Sequence, residues 1–147
     1  MKIILIRHGE TQPNAQKRYV GWTDCSLNKK GRWQAEKIRQ YLSKYTVSKV
    51  YASDLKRSIE FAKIAFKDAA IEKITDLREI NFGVFEGRKY EEIVKKYPQH
   101  YKAWLSDPYK TAIPKGESLS RLAKRVRRSI KKFVSDNRNK TFVVVSH

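Results

Sequence analysis

Three short stretches of this 147-residue sequence bring together side chains able to do chemistry. Arg7-His8-Gly9-Glu10-Thr11 follows at once on the apolar run Lys2 to Ile6, Ser53-Asp54-Leu55-Lys56-Arg57 follows a second run, and Ser146-His147 follows a third. An arginine fork meets phosphoryl oxygens two at a time and keeps its charge near neutral pH. Imidazole can take a phosphoryl group as a covalent nucleophile, provided the ring is neutral. Neighbouring guanidiniums oppose protonation by like-charge repulsion, so Arg7 and Arg57 are expected to hold an anion and also keep His8 uncharged. Gly9 is expected to let the backbone approach the ligand. Two imidazoles and two guanidiniums in one cleft suit a dianionic phosphoryl group, whose transfer needs chiefly positioning and charge stabilisation.

These residues work together only if the elements before them lie side by side. Met1 to Ile6 and Thr141 to Ser146 are unbroken apolar runs of the kind found in parallel strands buried on both faces, and Lys49 to Ala52 is a weaker one. Between them the sequence predicts helices. One spans about 29–45, with Asn28 as cap and Trp33, Ile38, Tyr41, Leu42 and Tyr45 as its apolar set; a second is capped by Ser53 and carries Leu55, Ile59, Ala62 and Phe66. A third spans about 118–136 with Leu119, Leu122, Val126, Ile130 and Phe133 on one stripe. Strands alternating with helices indicate a layered α/β fold, in which ligands sit at the C-terminal ends of the strands. All three chemical stretches fall at such ends.

Composition sets the outer bounds. The length suits one domain, 1–147, with a core large enough to need no staples. Cys25 is the single cysteine, so neither an internal disulfide nor a multi-cysteine zinc site is expected, and a reducing, cytoplasmic setting is. The N-terminal apolar run is too short for a signal peptide or a membrane span. Lys and Arg number 33 against 15 Asp and Glu, a net +18 that favours anionic ligands of some kind. Arg121, Lys124, Arg125, Arg128 and Lys132 form a basic stripe on the third helix, read as a solvated face.

The succession of blocks resembles one known family. Arg7-His8-Gly9-Glu10-Thr11 with Asn14, Gly21-Trp22-Thr23-Asp24, Tyr51 to Arg57, Leu77 to Gly83 with Glu86-Gly87, Gly116-Glu117-Ser118 and Val145-Ser146-His147 stand in the order found in the histidine phosphatase superfamily. That superfamily includes cofactor-dependent phosphoglycerate mutase, the fructose bisphosphatase domain and α-ribazole phosphatase. The resemblance implies a three-layer α/β/α sandwich with a mostly parallel central sheet, phosphoglycerate mutase-like. It implies His8 as the phosphorylated nucleophile, with Arg7, Asn14, Arg57 and His147 on the phosphate, and Glu79 as the acid that protonates the leaving alkoxide and then the base that activates water. It implies a small phosphorylated molecule as partner, with no metal, no cofactor and no membrane. Family members continue past the second histidine with a glycine, another helix and further structure, whereas this sequence stops at His147.

Within the family, Leu77 to Gly87 lacks the Arg-His-Tyr-Gly pattern that resembles mutases, so a phosphatase of the α-ribazole type is expected ahead of a mutase. Trp22, Thr23, Phe82 and Phe85, with the 97–114 region, are expected to cover the pocket. Two readings of other classes compete: a basic nucleic-acid-binding protein using the stripe on the third helix, and a catalytically inactive scaffold. Nucleic acid is not the expected partner, because no recognised nucleic-acid motif is present and the ordered blocks would go unexplained.

Overall fold

Four parallel strands make the centre of the computed structural model, which describes residues 1–147. They are β1 (Lys2–Arg7), β2 (Lys49–Ser53), β3 (Ile71–Ile74) and β4 (Thr141–Ser146), in the order β1-β4-β2-β3. Helices α1 (Gln12–Ala15), α2 (Lys29–Leu42), α3 (Lys56–Ala65), α4 (Tyr90–Lys96), α5 (Pro98–Ser106) and α6 (Leu119–Asp136) connect them, with 3-10 turns at Thr75–Leu77 and Gly83–Phe85. No helix is long and apolar enough to cross a membrane.

Alternation along β2 and β4 builds two core layers. Val50, Ala52, Val143 and Val145 face α2 and α3, packing on Ala35, Phe61 and Ala62. Tyr51, Phe142 and Val144 point the other way, onto Phe133 of α6 and Leu77, with Tyr51 stacked 3.8 Å from Phe133 between ring centroids. Each such side chain contributes about 1.5–3 kcal/mol by leaving water. A third cluster, around Phe85, Ile93, Tyr101 and Ile113, ties α4 and α5 to the 3-10 turn at Gly83–Phe85.

Several local expectations are corrected. β1 lies at a sheet edge and is not buried on both faces: Leu5 is 71% exposed and Ile3 36%. Helix α2 stops at Leu42, leaving Tyr45 beyond it. Ser53 does not cap α3; the cap position is Leu55, with no side-chain bond, and Ser53 is the last residue of β2. Strand β3 has only four residues, Ile71-Glu72-Lys73-Ile74, too few and too charged to stand out as a run. Asn28 and Ser118 do cap α2 and α6, accepting from the amides of Gly31 and Arg121.

The register fixes the chemistry. Arg7 pairs with Ser146 across β1 and β4, and the His8 amide donates to the Ser146 carbonyl at 2.9 Å, extending the ladder by one step. Ala52 pairs with Val145, which sets Ser53 beside the end of β4. The C-terminal ends of β1, β2 and β4 therefore carry His8, Ser53 and His147 side by side.

Candidate active site

His8 and His147 meet edge to face with ring centroids 4.9 Å apart. His8 Nδ1 lies 2.7 Å from the Gly9 carbonyl oxygen, which can only accept, so the proton sits on Nδ1 and the lone pair on Nε2. That lone pair accepts from Arg57 Nε at 3.2 Å. Burial lowers the His8 pKa to about 4, with Arg57 and Arg7 adding to the fall and the Gly9 bond opposing it. Both arginines thus act in the expected direction, and removal from water adds the largest contribution.

Arg57 is 1% exposed, in the first turn of α3. Its other donors go to backbone carbonyls, Nη1 to Thr23 at 3.0 Å and Nη2 to Gly21 at 2.7 Å. Burial lowers its pKa from the usual value, opposed first by Cys25, whose Sγ lies 4.0 Å from Nη1, and then by the charges of Glu79 and Asp24. The 21–23 loop supplying those carbonyls is itself gathered by one carboxylate. Glu86 accepts from the amides of Gly21, Trp22, Thr23 and Phe82 and from the Thr23 hydroxyl, the last at 2.7 Å.

His147 closes the site on the β4 side. Its Nε2 lies 2.9 Å from Ser53 Oγ and 3.4 Å from Ser58 Oγ, and its Nδ1 is buried without a hydrogen-bonding partner. Burial first, then the charges of Arg57 and His8, lowers its pKa to about 2. Both rings are neutral at physiological pH.

Asn14 is turned to donate. Its Oδ1 accepts from the Thr11 amide at 3.2 Å and the Thr11 hydroxyl at 2.8 Å in the cap of α1, so its amide protons remain. Asn14 lines a polar depression of about 250 Å³ with Arg7, His8, Gly9, Glu10 and Gln34. Glu79, Arg78, Ser146 and His147 line a second cavity, of about 470 Å³. Arg7 is exposed at the rim. Glu79 is half-buried, with one carboxylate oxygen 2.8 Å from the Ile80 amide.

The aromatic cover is rearranged. Phe85 is fully buried in the third cluster and does not line a pocket. Phe82 packs edge-on against Tyr19 at 5.2 Å. Thr23 gives its hydroxyl to Glu86, so it builds the loop and does not present that group to a ligand. Trp22 is 38% exposed, donates Nε1 to the Glu79 carbonyl at 3.0 Å and lies under the Arg78 guanidinium. Gly9 also meets a packing demand that the sequence does not show: a Cβ there would stand 2.4 Å from the Gly31 carbonyl oxygen of α2.

The basic stripe is also corrected. Arg125 turns inward, its side chain 14% exposed, and pairs with Glu117. Arg128 pairs with Asp76 at 2.7 Å and Lys132 with Asp136 at 2.9 Å, while Arg121 and Lys124 are exposed. Glu86, Glu117 and Ser58 are site-building residues to which the sequence assigns no role, and Ser53, expected as a helix cap, instead meets His147. A Glu among backbone amides carries no signature short of the fold. No group of three or more His, Cys, Asp or Glu side chains is placed to hold a metal ion.

Comparison with known proteins gives the family. Residues 3–147 match the family model described as the histidine phosphatase superfamily, branch 1. Phosphoglycerate mutase-like protein 4 of Arabidopsis thaliana is 40% identical across 99% of this chain, and phosphoserine phosphatase 1 of Hydrogenobacter thermophilus 34% identical across 100%. The chain spans 66% of the first relative and 71% of the second. The crystal structure of the alpha-ribazole phosphatase from Shigella flexneri superposes with a TM-score of 0.92 at 30% identity, covering 100% of this chain and 74% of that one. With a parallel sheet presenting a neutral histidine to a buried arginine, and a family match running almost end to end, this chain belongs to the histidine phosphatase superfamily.

Proposed function

We propose that this protein is a metal-independent phosphomonoester hydrolase that works through a phosphohistidine at His8 Nε2. The observation that carries this is the tautomer: Gly9 binds the Nδ1 proton, which leaves a neutral ring with its lone pair directed at Arg57. Arg57, Arg7 and the Asn14 amide hold the equatorial oxygens, and His147 gives the transferring group a further contact through its unpartnered Nδ1. As the Nε2–P bond forms, the bond from phosphorus to the leaving oxygen breaks, and Glu79 donates its proton to the departing alkoxide. Water then attacks phosphorus while the Glu79 carboxylate takes its proton. The N–P bond breaks, the electron pair returns to Nε2 and inorganic phosphate leaves.

Hydrolysis is favoured over mutase chemistry because Arg7, Trp22 and Thr23 are exposed at the rim, where water reaches the phosphoenzyme. The substrate is a small phosphorylated metabolite. The names of the relatives, a phosphoserine phosphatase and an alpha-ribazole phosphatase, indicate which compounds to screen first.

The test is phosphate release from an aryl phosphate. His8→Ala is expected to abolish it together with an acid-labile phosphoenzyme, Arg57→Ala to weaken vanadate binding as well, and chelators to leave it unchanged. Turnover that survives His8→Ala or disappears with chelator refutes the mechanism. Interconversion of phosphoglycerate isomers primed with bisphosphoglycerate, without net phosphate release, makes the protein a mutase instead.

A further inference from the structure

Glu79 sits in residues 78–82, which belong to no helix or strand, and yet its surroundings leave the backbone little freedom. Arg125 of α6 binds this segment. Its Nη1 donates to the carbonyls of Asp76 at 2.7 Å and Arg78 at 2.6 Å, and its Nη2 to the Glu79 carbonyl at 2.8 Å. The remaining protons go to Glu117, from Nε at 3.2 Å and Nη2 at 2.5 Å. All five guanidinium protons are engaged. Ser146 Oγ donates to the Leu77 carbonyl between them, and the same Glu117 oxygen that meets Nη2 accepts from the Asn81 amide. Four successive carbonyls, 76 to 79, are thus held by side chains, and three of them by one residue.

We propose that Arg125, with Glu117 as its counter-ion, is a positioning residue for proton transfer, setting the backbone of Glu79 so that its carboxyl meets the leaving oxygen. The proposal rests on the reading of Glu79 as general acid. Arg125 acts through these carbonyls and not on the phosphoryl group. A lysine keeps the charge but supplies three protons from a single point, so it cannot span three carbonyls and a carboxylate together.

The experiment compares kcat/KM for two substrates in Arg125→Lys and in Glu79→Gln. Dinitrophenyl phosphate releases a stable phenolate that needs no proton, whereas glycerol phosphate releases an alkoxide that does. Arg125→Lys is expected to lower kcat/KM for glycerol phosphate by about 10–100-fold, the scale of an ångström-level misplacement. Its kcat/KM for dinitrophenyl phosphate and its vanadate affinity stay within about threefold of wild type, because binding of the phosphoryl group is untouched. Glu79→Gln shows the same selectivity more strongly, about 10²–10⁴-fold on glycerol phosphate, and the double variant adds little to it.

If Arg125→Lys does not fold, Glu117→Gln is read in the same way, since it keeps the shape and weakens the pair. Equal losses on both substrates, lost vanadate affinity or no loss at all overturn the clamp while Glu79→Gln remains selective. An unselective Glu79→Gln overturns the reading of Glu79, and the clamp with it.

Discussion

Folding stability should fall steeply in mild acid, and the two site histidines set how steeply. Burial together with neighbouring positive charge holds His8 near 4 and His147 near 2, from an ordinary 6.5. In the unfolded chain both rings titrate at the ordinary value, so below it the unfolded state binds protons that the folded state refuses. Stability is therefore complete above pH 6.5 and declines as the pH drops through the window between that value and the folded pKa of each ring. Each unit below the unfolded pKa costs about 1.4 kcal/mol per histidine. From 6.5 to 4 that is about 3 kcal/mol for His8. His147 adds a similar amount over the same interval, and the pair together loses on the order of 6 kcal/mol, comparable with the whole stability of many domains. Asp54, whose pKa is lowered by its bond to Arg78, loses its contribution only below its ordinary 3.8, outside the interval from 6.5 to 4. Urea unfolding followed by tryptophan fluorescence, from about pH 7.5 down to about pH 4.5, measures the slope directly. His8→Asn should remove about half of it. A wild-type curve that stays flat across the window, or a variant with the wild-type slope, refutes the buried neutral pair.

Three further outcomes follow from the packing around the site. Glu86→Gln places amide protons among the amides of Gly21, Trp22, Thr23 and Phe82, and should cost about 2–3 kcal/mol in thermal unfolding and weaken vanadate binding by releasing the carbonyls that hold Arg57; unchanged melting and affinity contradict it. Gly9→Ala drives a methyl to within 2.4 Å of the Gly31 carbonyl oxygen and should destabilise by about 1–3 kcal/mol or more, read as a lowered melting temperature, with a loss of activity because the acceptor for His8 Nδ1 moves. Phe142→Ala, between α6 and the sheet, should cost about 3–5 kcal/mol in urea with an unchanged m-value, leaving the vanadate affinity of the folded protein as it was.

The strand ends are legible in the sequence because the chemistry begins where the apolar runs stop, at Arg7-His8 and at Ser146-His147. The layers on β2 and β4 are legible for the same reason: alternation along Tyr51, Ala52 and Phe142 to Val145 is a local pattern. Arg125 is not legible. Along α6 it is the same residue type as the exposed Arg121 and Arg128, and what turns it inward is a set of carbonyls 46 to 49 residues away in sequence. Phe85 is hidden by the same logic. It reads as an aromatic beside a pocket, and only the docking of α4 and α5 makes it core. The exposed face of β1 is not legible, because an unbroken apolar run does not say how many neighbours a strand has; the exposure of Ile3 and Leu5 follows from edge position, a property of the sheet order.

The few acids of this strongly basic chain are placed so that they do not neutralise the group that matters most. Arg78 takes Asp54, Arg125 takes Glu117, and Glu86 satisfies backbone amides, so each of these carboxylates already has close donors. Arg57 has no carboxylate within ion-pair distance although it is almost wholly buried, and its protons go to two neutral carbonyls, to the neutral ring of His8 and, at 4.0 Å, to Cys25 Sγ. A buried guanidinium without a counter-ion is costly, and burial accordingly pulls its pKa down. The arrangement makes sense if the missing negative charge arrives with the ligand. An oxyanion entering beside His8 would meet a full, desolvated positive charge that needs no partner to be displaced first. Binding must then stabilise the fold as well as fill the site, and inorganic phosphate or vanadate at about a hundred times its dissociation constant should raise unfolding stability by about 2.7 kcal/mol. The gain should vanish in Arg57→Ala and persist in Glu79→Gln, because the second carboxyl serves the leaving group and not the bound oxyanion. A gain that survives the loss of Arg57 would mean that the uncompensated charge is incidental, and that the anion is held elsewhere.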